Sequence, residues 1–594
     1  MVLGLVGPFR LLSIGSGCVQ AQKPQLFSQY EDQLIQAALR QRGLTIDPTP
    51  AGKVIEEIIV SNHDIIMSGD LPLNSKLPWT LLNKVHVRTR DYIVAQELLI
   101  AVGMRYQRDL VEESERNLRA MFILSVARIV VAKGSTSERV RLLVVTKDRW
   151  TLRLNTTFLL DQTRLDQLAF SIAESNLIGR NKQLSFEFSL DPGRFALGAS
   201  YYDPRVWSSR HSFRLYGLAY LNRDSRLVEG GLLQLTVGRP LFSLRTRLGW
   251  QANLNFLDDV ARFFKGGEVA QRQYGSETVP DIYKRRQIVG NLQLTYSDGV
   301  VNKASVTVGL RASHVLYTLP ENFPTVSDAT RAAYVATLPR SESWAGPVVQ
   351  FDLYTATYIK LKNINTFALT EDIRVGPRLN VEAKLASHVF GLPSDFVELT
   401  ASFTHLRYFF DNLLDFGATV GGRVQYATAA AAGYTTPLVN QQVTAYLREI
   451  SPRFGPLRLH IYGIVQLRAH DLDHVRLTLG SDNGLRGFAP RALQGNSMYR
   501  VNVELRTLPL NLWTIHVGGV LFYDGGDAPP SWNLFDQSGT LLRAGYHQDA
   551  GVGLRILLPQ FNRDVIRLDL GFPFELASGG GYAPRFSAEF AQAF

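Results

Sequence analysis

From about residue 151 to the C-terminus, apolar and polar positions alternate with a period of two. Leu184, Phe186, Phe188 and Leu190 alternate with Gln183, Ser185, Glu187 and Ser189; Leu244, Thr246, Leu248, Trp250, Ala252 and Leu254 alternate with Arg245, Arg247, Gly249, Gln251 and Asn253. The pattern recurs at Val306/Val308/Leu310, Leu379/Val381/Ala383/Leu385, Val397/Leu399/Ala401/Phe403, Leu457/Leu459/Ile461, Val501/Val503/Leu505, Val552/Leu554/Ile556/Leu558, Ile566/Leu568/Leu570/Phe572 and Phe586/Ala588/Phe590. Successive side chains of a strand point to opposite faces, so each segment has one oily face and one polar face. The segments run ~9–12 residues where globular strands average ~5–6, and the region is too long for one β-sandwich yet shows no repeated linker. The pattern therefore predicts a mainly β chain with an antiparallel transmembrane barrel over 151–594, oily face to lipid and Arg, Glu and Gln face to a wet lumen.

Upstream the period changes. Residues 29–42 read as one amphipathic helix with Leu34, Ile35, Ala38 and Leu39 on one side, ended by Gly43, and 22–53 as a periplasmic spacer that carries it. Residues 54–150 read as a small α+β domain. A strand is predicted over 54–60, helices over 94–102 and 110–121, and two strands over 126–131 and 140–145 around a polar turn. Asp109 is the expected N-cap of the second helix, with Glu112 and Glu113 in its first turn. The order is β-α-α-β-β, with an insertion over 61–81. A short apolar stretch ending in Val19-Gln20-Ala21 has the small-residue spacing of a signal-peptidase site, which makes 1–21 the expected signal peptide.

Composition narrows the classes. Of 594 residues 20% are charged and 10% aromatic, and 48 Gly and 26 Pro are spread along the chain, which excludes disorder, collagen and coiled coil. The single cysteine, Cys18, excludes intramolecular disulfides and multi-cysteine metal clusters. A net charge of +10 raises nucleic acid as a partner, but only 13 of the 63 basic residues are Lys and the arginines are scattered singly along alternating segments. They read as a solvated or lumenal face, with no nucleic-acid partner. No run reaches the ~18 apolar residues of a spanning helix, which a barrel does not need.

The densest signal is C-terminal. Gly484-Leu485-Arg486-Gly487-Phe488 sits in a loop before a strand carrying Glu504, the next strand ends Phe522-Tyr523-Asp524-Gly525-Gly526, and the chain ends on a strand closing at Phe594. In this order and spacing they resemble the outer-membrane assembly-factor superfamily, or bacterial surface antigen family, to which BamA, TamA and the two-partner secretion pores belong. The resemblance implies about sixteen barrel strands, fewer than the alternating segments counted, and a POTRA-like character for 54–150. It also implies that the loop motif Leu485, Arg486, Gly487 and Phe488 folds back into the lumen, with Glu504 and Asp524 as acidic partners of Arg486. Phe522 and Gly526 form the strand motif, and Phe590 and Phe594 belong to the C-terminal strand. Physical chemistry points the same way: Glu504 alternates with Val503 and Leu505, and an arginine entering a low-water part of the lumen needs a charged partner to offset its desolvation.

Enzyme signals are absent: there is no HExxH, G-x-S-x-G or Walker loop, and His470-Asp471-Leu472-Asp473-His474 reads as a solvated charge cluster. No catalytic residue, metal or cofactor is expected. The sequence reading is an outer-membrane protein of a Gram-negative bacterium that assists insertion, assembly or translocation of polypeptides, with its POTRA-like domain in the periplasm. The alternative is a dedicated two-partner-type secretion pore or a passive channel. Expected partners are outer-membrane lipid, unfolded outer-membrane or secreted clients, and periplasmic or lipoprotein partners.

Overall fold

The computed structural model describes residues 29–65, 83–84, 86–161, 164–191, 193–265, 268–367, 370–426, 437–472, 475–512, 515–529, 546–558, 565–574 and 584–590. The expected signal peptide, most of the 61–81 insertion, Asp473, His474 and Phe594 lie outside the described residues.

Near the N-terminus, β1 (Val54–His63), β2 (Leu124–Lys133) and β3 (Arg139–Asp148) form a sheet in the order β1-β3-β2, with β1 parallel and β2 antiparallel to β3. Helices α1 (Gln29–Arg42), α2 (Asp91–Ala95) and α3 (Arg108–Ala120) accompany it. One face of the sheet packs Ile55, Val140, Leu142 and Val144 against Ile93, Val94, Leu110, Val111 and Leu118 of α2 and α3. The other face packs Leu143 and Val145 against Leu34, Ile35, Ala38 and Leu39 of α1. Because β3 is covered on both faces, it reads as an unbroken apolar run rather than an alternation. The helix assigned to a spacer is thus a packed layer of this unit. Residues 45–47 continue along the outer edge of β2, with the Lys133 amide donating to Thr45 O (2.9 Å) and the Asp47 amide to Val131 O (3.0 Å).

Two local expectations change. The helix predicted over 94–102 is α2, which ends at Ala95; Leu98 and Ile100 reach the same core from turns. The N-cap of α3 is Gln107, without a side-chain cap, and Asp109 lies inside the first turn, where it pairs with Arg245 (2.5 Å).

From Leu152 onward, twenty-two strand segments form one antiparallel sheet that curls into a barrel. Two staves are interrupted: Glu342–Thr355 and Thr357–Lys362 both pair with Thr370–Ala386, and Ser497–Thr507 and Leu510–Leu512 both pair with Ile515–Asp527. Twenty-two segments less these two joins leave twenty staves among the described residues, against the expected sixteen or so. The surplus alternating segments are strands of the same sheet, because each finds a neighbour in register. Among the described residues, the first strand, β4 (Leu152–Asp161), and the last, Arg585–Phe590, meet over two residue pairs, Leu159 with Ser587 and Phe158 with Ala588. The alternation read at 244–247 is not strand; Leu248–Arg262 begins after a turn in which the Leu244 amide donates to Glu113 of α3 (2.6 Å).

The outward positions are apolar and exposed, among them Leu254, Leu292, Leu310, Leu399, Leu521 and Val552. A belt of that extent does not face water in a soluble monomer. No described helix is long and apolar enough to cross a membrane, which says nothing against strands.

The α+β unit sits against one end of the barrel. Arg119 grips Asp372 (Nε–Oδ2 2.6 Å, Nη2–Oδ1 2.8 Å), Glu115 meets Lys360 (3.0 Å), Arg128 donates to Thr370 (3.1 Å), and Arg205 between two staves donates to Glu97 (Nη2–Oε2 2.7 Å). Arg128 also holds Glu31 of α1 (2.9 Å) and Glu115 (3.0 Å). Burial opposes the charge on Glu115, but the Arg119, Lys360 and Arg128 cations outweigh it and hold its carboxyl down to about 2.

Candidate functional site

Four neighbouring staves build the site: β5 (Ser497–Thr507), β6 (Ile515–Asp527), β7 (His547–Leu557) and β8 (Ile566–Pro573). Their period of two sorts the residues. Leu521 and Val552 face outward and are exposed, so Asn502, Glu504 and Arg506 of β5, Phe522 and Asp524 of β6, Asp549 and Arg555 of β7, and Arg567 and Asp569 of β8 face the lumen. The register sets Asn502 opposite Asp524, Asp524 opposite Asp549, and Arg555 opposite Arg567.

Residues 475–496, on the connection between Leu457–Ala469 and β5, fold back into the lumen. Arg476 pairs with Asp281 (3.2 Å) at the outer end of Ile282–Asp298, with six staves between that strand and Leu457–Ala469. Ten residues on, Arg486 is 2% exposed and lies against the wall of the four staves. Its Nε and Nη2 donate to the two oxygens of Asp524, each at 2.7 Å; Nη1 donates to Glu504 (2.5 Å) and to Asp569 (3.3 Å). The guanidinium carbon lies 3.6 Å from the centroid of the Phe522 ring. A planar fork with several donors suits this arrangement, and a lysine's point charge does not.

The carboxylates are shared. Glu504 also accepts from Arg506 Nε (2.6 Å) and Arg555 Nη2 (3.4 Å), and Asp569 from Arg555 Nη1 (2.6 Å), with Arg567 Nε 3.4 Å away. Asn502 donates to Asp524 (2.7 Å) and to Gly484 O in the loop (2.7 Å). Charges buried this deeply are tolerable only when paired and hydrogen-bonded.

Close backbone approach makes the fit. A Cβ on Gly487 would lie 2.6 Å from Asp549 Cβ and 3.0 Å from Pro573 N, and one on Gly571 would lie 2.7 Å from Gly487 N. Leu485 is fully buried with Leu479, Met498 and Ala528, and Phe488 packs on that cluster and edge-on to His547 at 5.7 Å. Gly526 pairs with Arg500 and Phe590 with Ile566 in the register.

The structure therefore brings Arg486 together with both acidic residues named from the sequence, and adds Asp569, Arg506, Arg555 and the Phe522 ring. Asp569 and Arg555 were in phase with inward positions, opposite Leu568, Leu570 and Leu554, but nothing in the sequence ties them to a loop residue 83 and 69 positions away, respectively. In the His470 cluster, Asp471 is taken by Arg468 (3.0 and 3.1 Å), and no group of three metal-ligating residues occurs among the described residues.

The Omp85 superfamily domain matches residues 176–594, which contain the fold-back loop and all four staves of the site. The chain belongs to the Omp85 superfamily. Omp85 proteins are outer-membrane β-barrel proteins of Gram-negative bacteria. Similar solved structures include BamA from Haemophilus ducreyi lacking POTRA domains 1–3, 12% identical over 96% of this chain and 95% of that one, with a TM-score of 0.36. CdiB from Escherichia coli is 11% identical over 95% of this chain and 98% of that one, with a TM-score of 0.40. CdiB from Acinetobacter baumannii is 11% identical over 95% and 86%, also at 0.40. No curated protein matches the chain.

Proposed function

We propose that this Omp85 protein assists insertion, assembly or translocation of polypeptides at the outer membrane, with 151–594 as a closed transmembrane barrel and 54–150 as a periplasmic POTRA-like domain. The observation that carries the reading is the Arg486 cage: a lumenal loop is fastened to the four staves beside a seam that, among the described residues, pairs at two positions. The fastened wall stays rigid while the seam exposes strand edges, and an unfolded client pairs with such an edge. No cofactor is needed, since the client's own burial of lipid-facing surface and satisfaction of its backbone groups supply the free energy.

Depletion of the protein followed by a census of outer-membrane proteins tests this. Loss of many unrelated barrels is the expected result. Loss of one secreted polypeptide alone assigns a dedicated secretion pore instead, and an unchanged census overturns both.

A further inference from the structure

Beside the fold-back loop the lumenal wall carries unbalanced charge. On three consecutive staves, Leu438–Phe454, Leu457–Ala469 and β5, inward positions alternate with exposed Val443, Leu447, Val465 and Val501. The charged residues at those inward positions are Arg448, Arg453, Arg458, Arg468, Arg500, Arg506 and a single carboxylate, Glu504; Arg453, in register with Arg458, lies 3.3 Å from Asp411. Glu504 already serves Arg486 and Arg506, Arg458 pairs with Asp411 (2.9 Å) and Arg468 with Asp471 (3.0 Å). Arg448 and Arg500 form no salt bridge among the described residues. Arg448 donates to Asn365 Oδ1 (2.7 Å), and the Arg500 guanidinium lies over the Tyr462 ring at 5.2 Å. Asp415, in register with Arg448 on the neighbouring stave, is instead bound by the Tyr446 hydroxyl (3.1 Å).

The register completes a surface. Arg448 faces Tyr462, Tyr462 faces Asn502, and the Tyr446 and Tyr462 rings stack at 6.4 Å. Two half-buried guanidiniums thus flank a pair of tyrosine rings on the lumenal side of the wall, with Arg500 beside the fold-back loop, where a Cβ on Gly484 would lie 3.0 Å from its guanidinium carbon.

We propose that this Arg–Tyr surface is a docking track for an acidic, extended polypeptide segment inside the lumen, an inference that rests on the polypeptide-handling reading above. Guanidinium forks match carboxylates in two-point geometry, and tyrosine faces pack against peptide side chains without requiring one sequence. Two weakly partnered cations in a wet lumen hold such a segment loosely, as transit demands.

The test uses the full-length protein in nanodiscs of zwitterionic lipid and three peptides of about twelve residues, long enough when extended to span the barrel wall. One is rich in Glu, one has Gln in place of each Glu, and one has Lys. The Glu peptide binds, with affinity falling as salt rises from about 50 to about 300 mM, because the Debye length shortens over that range. The Gln and Lys peptides bind about tenfold more weakly or not at all, and in R448Q/R500Q the Glu peptide drops about tenfold to the Gln level. The double variant keeps its gel mobility before and after boiling, which separates lost docking from lost folding. Equal binding of the Gln peptide, or unchanged affinity in R448Q/R500Q, overturns the track. Displacement of the Glu peptide by phosphatidylglycerol at equal charge concentration assigns the surface to lipid headgroups and overturns it too. A changed outer-membrane census on depletion with no Glu-peptide capture refutes the track alone, whereas an unchanged census refutes the polypeptide reading and the track's role in transit together.

Discussion

Arg486 is one side chain answering to three carboxylates and an aromatic face, and its replacement separates charge from geometry. Arg486→Ala leaves Asp524, Glu504 and Asp569 buried with less positive charge around them, a local cost on the order of 3–5 kcal/mol where the pair is dry. Asp524→Ala removes the two-point partner and should cost a similar amount. Because both act on the same cage, the double variant should be little worse than either single one, which urea titration in micelles measures as a coupling energy. Additive losses would show that the two residues act apart. Arg486→Lys keeps the charge but loses the fork, so it should fall between wild type and Ala. Part of this cage was legible in the chain itself: Glu504 alternates with Val503 and Leu505, and Asp524 closes a strand in phase with Phe522. The contributions of Asp569 and Arg555 were not, because period two gives the face of a residue and not the stave it will neighbour.

At the scale of elements, the junction between the α+β unit and the barrel is made of charge. Arg119 is 6% exposed and bridges α3 to Asp372, while Glu115 gathers Arg119, Arg128 and Lys360. The folded pKa of Glu115 is depressed from the ordinary 4.5 to about 2, so its contribution is fully present above 4.5 and fades as the pH falls toward 2. Docking should therefore loosen over that acid window, read by limited proteolysis of the unit; Glu115→Gln should show the loosened pattern already at neutral pH. If the pattern is the same at pH 7 and pH 3, the charge cluster does not hold the junction. Deleting 54–149 should leave the barrel in the membrane and abolish the depletion-rescue phenotype, since the unit is proposed to receive clients. The elements themselves differ in how readable they were. Helix α3 repeats apolar residues at helical spacing over its length, whereas α2 is five residues long and its neighbours Leu98 and Ile100 mimic a continuing helix while lying in turns. The amphipathic face of α1 was visible, but its partner, the second face of β3, is hidden in an apolar run that does not say which side it packs on.

For the whole molecule, strand type was legible and strand number was not, since a barrel's circumference depends on how every stave pairs and a family resemblance carries only an expected count. Among the described residues the same pairing makes the seam the weakest joint: neighbouring staves such as Leu248–Arg262 and Ile282–Asp298 pair over fifteen residues, while β4 and Arg585–Phe590 share two. Each lost ladder pair leaves backbone groups that lipid cannot satisfy, so an edge opened there seeks a strand from another chain. The remaining staves should still make the barrel resist detergent, with different gel mobility before and after boiling. Locking the joint tests whether its opening matters. Leu159 and Ser587 are register partners, which places their Cα atoms about 4.5–5.5 Å apart, within disulfide reach, and the sequence has no cysteine besides Cys18 to compete. With Leu159→Cys and Ser587→Cys combined, oxidation should leave the mobility shift intact yet abolish rescue of depleted cells, and reductant should restore it. Each single cysteine variant should behave as wild type under both conditions. Full rescue by the oxidised, cross-linked form would mean that clients leave by another route, and the weak seam would then have no part in the function proposed for it.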